Sequence, residues 1–425
     1  MSERACVSPR TVLRLRAACA IVAALASVRA PARAQDGGAE LPPPIDATVE
    51  PPEEDASAGD AVAEPALPPA GAEPAPPPAE PVASEPIVVP EEEAPTAWTD
   101  ALSIRVFADA YVAGHWTLPS AFEGDQSAVI GHRAFDTYGG PSIAFAGIDL
   151  RFAPEPIGAA LDLRFGTAVP RLLGAFSGLP EGMQFLKQAF VSWRPIEQLQ
   201  IDLGQFDTIY GAEVSESWLN PTYTRGALYN VVQPFYHTGL RASWAPIDAL
   251  TLTAIAVNGW NNVADNNDGK SVGVQAALTI DDFSMALGYM TGPERAGIDD
   301  QFRHLVDVIF RLHVGDLDLV ANADFVAEDF GPDGYDLLAG GMLAGRLAIV
   351  REFAVALRGE LLGDPDDGST LTTGTLTLEA VPDPHLIIRL DTRLDVASDP
   401  RFLDTGAQPS EYVVSSVLGV VVRSD

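Results

Sequence analysis

The feature that most constrains the fold is an alternation of apolar and polar side chains that recurs along residues 98–425. In LIIRLDTRLDV (386–396), for example, Leu and Ile residues alternate with Arg and Asp. Successive side chains of an extended strand point to opposite faces, so such a segment has one apolar and one charged face. About sixteen segments of this kind occur, which begin near residues 102, 142, 158, 186, 199, 235, 249, 271, 282, 303, 316, 336, 353, 370, 385 and 411. An all-β fold is therefore predicted.

The connections between these segments alternate in length. Those after even-numbered segments are short, such as DD (281–282) and VRE (350–352), whereas those after odd-numbered segments are longer, such as 113–141 and 207–234. A globular sandwich has no reason to collect its long loops at one end. An outer-membrane barrel combines short periplasmic turns, longer extracellular loops and an even strand number. The pattern predicts a transmembrane antiparallel up-and-down β-barrel of about 16 strands.

The charged face of each strand indicates what fills the barrel. A small barrel packs its interior with side chains and could not hold so many charges, whereas 16 to 18 strands enclose an aqueous channel. The alternation therefore predicts these pore-lining residues: Arg105, Asp109, Asp149, Arg151, Asp162, Arg164, Asp202, Arg241, Arg358, Glu360, Arg389, Asp391, Arg393 and Asp395. It also places Asp307, Arg311, Asp318 and Asp324 inward. The inward charges are nearly balanced, although 98–425 holds 20 basic and 43 acidic residues. Acidic loops and turns thus predict a weak cation preference.

The first 97 residues form two further segments. Residues 1–34 combine several Arg, the apolar run AACAIVAALASV (17–28) and the small-x-small site ending at Ala34, as a signal peptide does. Cys6 and Cys19 both lie there, so the mature chain would contain no cysteine. Residues 35–97 hold sixteen Pro and fifteen Asp or Glu with no Lys or Arg. This composition predicts a disordered acidic spacer in the periplasm, before an outer-membrane barrel over 98–425.

The middle of the chain resembles a known family. Four segments carry the resemblance in this order: QFLKQAFVSWRP (184–195), LQIDLGQFDTIYGAEVSES (199–217), PFYHTGLRASW (234–244) and VNGWNNVADNNDGKSVGVQ (257–275). They are similar to the putative beta-barrel porin-2 (OmpL-like) family of bacterial outer-membrane proteins. The likeness is close from about 98 to 290 and continues afterwards only as barrel patterning. It implies a pore-forming barrel and names no solute.

The long connection 207–234 is the strongest candidate for a functional loop. It contains the constriction-loop candidates Asp207, Glu213, Glu216 and Arg225, together with Tyr223 and Tyr229. If the loop folds into the lumen, acidic and basic groups that face each other would filter solutes. A loop on the outer surface is the open alternative, because length alone does not fix direction.

No catalytic arrangement stands out in the sequence, which lacks the G-x-S-x-G, H-E-x-x-H and phosphate-loop motifs. The polar stretch NGWNNVADNNDGKS (258–271) fails the spacing of an EF-hand when the loop is counted from Asp265. It therefore favours a hairpin turn, with an adventitious calcium site as the alternative. His237 falls among the inward positions of its strand and is interpreted as a polar wall residue.

Together these features predict a porin for passive diffusion of small hydrophilic solutes or ions, with no enzymatic activity and no cofactor or metal. The expected partners are outer-membrane lipid and lipopolysaccharide, the solutes and, in a homotrimer, two further copies of the chain. A basic surface for nucleic acid is absent from the sequence. One alternative is a non-conducting barrel that serves as adhesin, receptor or structural anchor. A membrane-embedded enzyme is the weakest alternative.

Overall fold

The computed structural model describes residues 101–153, 156–173 and 182–424. The predicted signal peptide (1–34) and acidic spacer (35–97) lie outside the described residues. Within these, no helix is long and apolar enough to cross a membrane. The strands are β1 Leu102–His115, β2 Gly140–Phe152, β3 Ile157–Phe165, β4 Leu186–Ile196, β5 Leu199–Asp207, β6 Tyr236–Ile247, β7 Leu250–Val257, β8 Ser271–Ile280, β9 Phe283–Pro293, β10 Phe302–Val314, β11 Leu317–Asp329, β12 Tyr335–Val350, β13 Phe353–Gly363, β14 Thr370–Asp383, β15 Leu386–Ala397, β16 Phe402–Leu403, β17 Pro409–Ser410 and β18 Tyr412–Arg423.

Sixteen of these strands close into one antiparallel barrel. Each of β1 to β15 pairs with its neighbour in the chain, and β18 joins β15 to β1. The closing register sets Phe107 opposite Arg423 and His115 opposite Ser415. Every barrel strand begins within two residues of its predicted start. The prediction of a 16-stranded up-and-down barrel is confirmed.

The two faces of the barrel wall follow the alternation in the sequence. On β13 the side chain of Leu357 points outward and is 62% exposed in the isolated chain. On β15 the inward side chain of Asp391 is 0% exposed. Because lipid covers the outer face of such a barrel, an apolar exterior is stable there, and the closed sheet leaves no edge unpaired. The buried side chains therefore lie inside the barrel.

Short turns collect at one end of the barrel and long loops at the other. The turns 197–198, 281–282 and 315–316 each contain two residues, and the longest loops are 116–139 and 208–235. The loops also carry short elements, namely the α-helices Val169–Leu173 and Ala227–Val231, the 3-10 helices Met183–Phe185, Ser217–Leu219 and Gly331–Asp333, and the hairpin of β16 and β17. We refer to these ends as the short-turn end and the long-loop end.

Candidate functional site

The predicted inward charges of the first strands form ion pairs across the inner wall. On β3, Arg164 Nη1 lies 2.5 Å from Asp149 Oδ1 of β2, and Asp149 Oδ2 lies 3.5 Å from Arg105 of β1. Arg151 Nη2 donates to Asp162 Oδ2 at 2.6 Å. Arg105 directly faces Asp149, whereas Arg164 and Arg151 each reach an acid two positions along the neighbouring strand. Such diagonal neighbours are about 7–8 Å apart, within reach of long side chains. The period-two pattern thus generates a ladder of ion pairs.

The same kind of pairing continues around the barrel. Arg241 Nη2 of β6 lies 2.8 Å from Asp202 Oδ2 of β5. Farther along, Arg389 Nη2 lies 2.5 Å from Glu379 Oε2, and Arg393 Nε lies 2.6 Å from Asp395 Oδ1. The inner wall therefore carries fixed charges of both signs, which are held mostly by each other.

Most of these wall charges are surrounded by protein. Eleven of the fourteen predicted pore-lining side chains are buried, and only Arg105, Arg151 and Arg241 are half-buried. The alternation in the sequence predicted that water would cover them. The difference arises because two loops, 208–235 and 116–139, enter the barrel from the long-loop end. Where these loops contact the wall, side chains and backbone replace water as the partners of the charges.

Residues 208–235, here called the inserted loop, are bound to β13 by two buried charges. Arg358 Nη1 donates to Glu213 Oε1 at 2.7 Å. Glu360 accepts from the backbone N–H of Ala227 at 3.0 Å and of Leu228 at 3.3 Å, where the short helix of the loop begins. A carboxylate at the first N–H groups of a helix takes up donors that have no partner within the helix.

Strand β15 holds the centre of the inserted loop. Asp391 Oδ2 accepts from the backbone N–H of Thr224 at 2.8 Å. Arg389 Nη1 donates to the carbonyl oxygens of Ser217 at 2.6 Å and Asn220 at 3.0 Å. These bonds join charged wall groups to the loop backbone, so an irregular segment keeps its polar groups satisfied inside the barrel.

Glu216 binds the inserted loop to the opposite side of the wall. Its Oε1 lies 2.8 Å from Arg164 Nη2 of β3 and 2.6 Å from Lys187 Nζ of β4. Burial by itself would raise the pKa of Glu216, but the charges of Lys187 and Arg164 outweigh it and hold this pKa well below its usual value. The carboxylate is therefore ionised whenever both cations are in place.

A third set of contacts joins the start of the inserted loop to β9, β10 and β11. Tyr210 donates its hydroxyl proton to the carbonyl oxygen of Tyr289 at 3.0 Å, and Asn322 Oδ1 accepts from the N–H of Ala212 at 2.8 Å. The loop thus contacts strands on several sides of the barrel and crosses the lumen. The alternative that it lies on the outer surface is wrong, because these wall groups bind its backbone.

The loop 116–139 packs beside the inserted loop. Arg133 Nη1 donates to Ser415 Oγ at 2.8 Å, and His132 Nε2 lies 3.0 Å from Asp395 Oδ2. Asn230 of the inserted loop donates to the carbonyl oxygen of Gly131 at 3.0 Å. This contribution was not predicted, because the sequence of the loop 116–139 shows length but no distinctive motif.

The four constriction-loop candidates occupy different environments. Glu213 and Glu216 are buried in the ion pairs described above, and Asp207 ends β5 with Oδ2 2.9 Å from Lys187 Nζ. Arg225 donates to the backbone of the loop and lies 4.7 Å over the ring of Phe135. The acids therefore have cations of the wall as partners. That these groups filter solutes stays a prediction.

Lys187 is a functional candidate that the alternation could not reveal. The pairing of β3 with β4 shifts at this point, since Asp162 faces Gln188 and Leu163 faces Leu186. Lys187 is the extra residue of this irregularity, and both Lys187 and Gln188 are buried. A bulge of this kind interrupts the period of two, so a strict alternation misplaces the lysine.

A cavity of about 520 Å³ lies inside the barrel at the short-turn end, beneath the inserted loop. The tip of the inserted loop contributes Trp218, Leu219 and Pro221. Its walls are formed by β10, β11, β12, β14, β15 and β18. These strands contribute a few aliphatic side chains and the charged residues Arg311, Asp318, Arg346, Glu379, Arg389 and Arg423.

The loop 258–270 and His237 have structural partners. Asp265 accepts from the backbone N–H of Asn267 at 3.1 Å and is paired with Lys270. His237 is buried between Thr208 Oγ1 and the carbonyl oxygen of Gly259, each 3.1 Å away. These contacts support the turn interpretation of the loop. The alternative of a calcium site there stays a hypothesis.

Comparisons with known proteins agree with this architecture. The sequence profile of the family of putative beta-barrel porin-2, OmpL-like, matches residues 122–422, well beyond the motifs near the middle of the chain. No curated protein matches the chain in sequence. Similar solved structures include OmpT of Vibrio cholerae, with 10% identity, a TM-score of 0.53 and coverage of 76% of this chain and 97% of that one. An anion-selective porin from Comamonas acidovorans has 14% identity, a TM-score of 0.53 and coverage of 76% and 99%. OprB of Pseudomonas putida has 11% identity, a TM-score of 0.52 and coverage of 76% and 94%. At these identities the structures show a shared fold alone.

Proposed function

Because the chain belongs to the putative beta-barrel porin-2, OmpL-like, family, we propose that it forms a narrow water-filled channel in the outer membrane. Small hydrophilic solutes or ions would diffuse through it passively, without bond chemistry. The observation that carries the proposal is the inserted loop, which crosses a lumen of fixed charges of both signs. Such a loop narrows the channel, and the fourteen predicted pore-lining residues and the four constriction-loop candidates would set its charge.

Planar bilayer recordings of the folded, full-length protein test this proposal. We expect discrete conductance steps that are small for a 16-stranded barrel. A variant in which residues 211–231 are replaced by a Gly/Ser linker should give larger steps, because the linker makes none of the wall contacts. Equal conductance in both proteins would contradict a constricting role of the inserted loop.

The burial of eleven of the fourteen wall charges favours a second candidate, a non-conducting barrel. Its long loops would then act at the cell surface as an adhesin, a receptor or an anchor. No steps from the intact protein and none from the linker variant, with both proteins folded, would favour this candidate. Steps from the linker variant alone would identify a pore that the inserted loop closes.

We further propose the outer-membrane setting that the sequence predicts. Residues 1–34 would be removed on export, and 35–97 would form a periplasmic spacer. The apolar outer wall would contact lipid and lipopolysaccharide. A homotrimer is proposed by analogy with OmpT of Vibrio cholerae, for which a trimer form is known. Mass measurement in detergent tests the trimer, and a reversal potential in a salt gradient tests the weak cation preference.

A further inference from the structure

The cavity at the short-turn end is distinguished by its charge. The chain has 59 acidic and 26 basic residues, yet this cavity is lined by four Arg and three acidic side chains. Two of its cations, Arg346 and Arg389, share the carboxylate of Glu379. Among the described residues, Arg311 and Arg423 have no carboxylate within 4 Å. The Nε atom of Arg423 is also buried without an acceptor. Two guanidinium groups therefore retain unused donors.

The cavity also contains apolar surface that has no partner. Leu219, at the tip of the inserted loop, is 59% exposed although it lies inside the barrel. Leu312, Val381 and Ile387 line the same space. Exposed apolar surface costs about 25 cal/mol per Å², so a ligand that covers Leu219 would gain from its burial. Binding sites for small molecules typically combine apolar walls with a few oriented polar groups.

We propose that this cavity binds a small monoanion with an apolar body, such as a short-chain carboxylate. The carboxylate accepts hydrogen bonds from Arg423, which faces Phe107 of β1, and the Phe107 ring lies 4.6 Å from that of Trp218, next to Leu219. The hydrocarbon chain covers Leu219 and its aliphatic neighbours. Guanidinium groups suit a carboxylate because their donors are planar and fixed in direction. The inference rests on the proposed function, because the channel is the route by which such a solute would reach the cavity. It adds that small carboxylates are one class of solute for this channel.

Calorimetric titration of the folded, full-length protein in detergent tests the site with three probes. Hexanoate carries both charge and apolar body, acetate lacks the body and hexanamide lacks the charge. We expect hexanoate to bind and each of the other two to bind at least several-fold more weakly. If acetate bound as tightly as hexanoate, the proposed contact between the hydrocarbon chain and Leu219 would be overturned. If hexanamide bound as tightly as hexanoate, the proposed contact between the carboxylate and arginine would be overturned.

Variants of the two arginines test the ionic contact. Arg423→Gln should weaken hexanoate binding about tenfold, which corresponds to about 1.4 kcal/mol, because it removes a hydrogen bond to a charged group. Arg311 lies on β10, six strands from β18, and donates to the carbonyl oxygen of Ala212 in the inserted loop at 2.6 Å, so Arg311→Gln should affect this loop more than hexanoate binding. Arg423→Gln is therefore the decisive variant. Arg194→Gln is the matched control, because Arg194 lies near the same end of the barrel, outside the cavity, and donates to Gln200 at 2.9 Å.

Unchanged hexanoate binding in Arg423→Gln would overturn the proposal, and so would an equal loss in Arg194→Gln. Conductance recordings on the same preparations separate the inference from the proposed function. Conductance without hexanoate binding refutes the anion site and leaves the channel intact. Hexanoate binding without conductance refutes the channel and leaves the site.

Discussion

Replacing Arg358 by Gln should release the inserted loop from the barrel wall. Arg358 is buried on β13 and donates to Glu213 Oε1 and Thr222 Oγ1 of the loop, both at 2.7 Å. It also donates to Thr375 Oγ1 of the neighbouring strand at 3.1 Å. The neutral amide of Gln is shorter and leaves the Glu213 carboxylate buried without its ion pair.

The expected magnitude follows from the burial of both partners. Removing one member of a buried ion pair costs about 3–5 kcal/mol. At about 1.4 kcal/mol for each factor of ten, the population of released loop should rise by roughly 10²- to 4 × 10³-fold. Burial raises the pKa of Glu213, so uptake of a proton can relieve part of this cost at low pH. The experiment is therefore best done near pH 8.

Trypsin measures the release directly. Arg225 is the only Lys or Arg among residues 208–235 and is 1% exposed, so the bound loop should resist cleavage there. In Arg358→Gln the rate of cleavage after Arg225 should rise with the released population, as followed by the masses of the two fragments. Arg303→Gln is the control, because the Arg303–Glu328 pair is partly exposed and Arg303 donates to Glu328 of β11 rather than to the inserted loop.

Equal cleavage rates in Arg358→Gln and the wild type would refute the reasoning. The double variant Glu213→Gln/Arg358→Gln adds a second condition. With both charges removed the Glu213 carboxylate is no longer left buried without its cation, although Glu360 still loses its contact with Arg358 Nε at 3.6 Å. The cleavage rate of the double variant should therefore lie between those of Arg358→Gln and the wild type. A double variant that is cleaved as fast as the single one would show that the ion pair does not govern release.

Three further predictions concern the barrel wall and the inserted loop. In Gly419→Ala the new Cβ would lie 2.2 Å from the Tyr223 ring, so tryptic cleavage of the inserted loop should accelerate, whereas Gly374→Ala, with open space at its Cβ, should behave as wild type. Because the pKa of Glu216 is lowered in the fold, its contribution to stability is present above the unfolded pKa of about 4 and is lost as the pH falls through the folded-state value. The difference in urea midpoint between the wild type and Glu216→Gln should thus be the same at pH 8 and at pH 5, and it should shrink only below about pH 4. A difference that already shrinks at pH 6 would contradict the lowered pKa of Glu216. Leu357→Arg places a charge on the outward face and should cost about 2–4 kcal/mol in lipid if that position lies near the middle of the bilayer, with unfolding in liposomes as the measurement.

The sequence predicted the barrel wall closely because the relevant signal is local. Strand alternation has a period of two, and a residue's face depends only on its position within its own strand. Leu357 and Asp391 therefore fall on the predicted faces. The alternation of short turns and long loops supplied the order of pairing, since neighbouring strands in an up-and-down barrel are consecutive in the chain.

The candidate site was predictable only in part. The sequence identified the wall charges and the loop 207–234, but it did not indicate that protein would surround most of those charges. It also did not identify Lys187, which a single irregularity between β3 and β4 turns inward. Such a bulge depends on how two strands pair, which the alternation within one strand does not encode.

The sequence by itself determined a sixteen-stranded barrel with an apolar exterior and a charged interior, because these properties repeat along each strand and each connection. Only the tertiary structure decided where the long loops lie. The inserted loop is fixed by contacts between residues far apart in the chain, such as Tyr223 with Asp109 and Arg389 with Ser217. Each bond joins groups that only the closed barrel places side by side, so no local pattern contains the information.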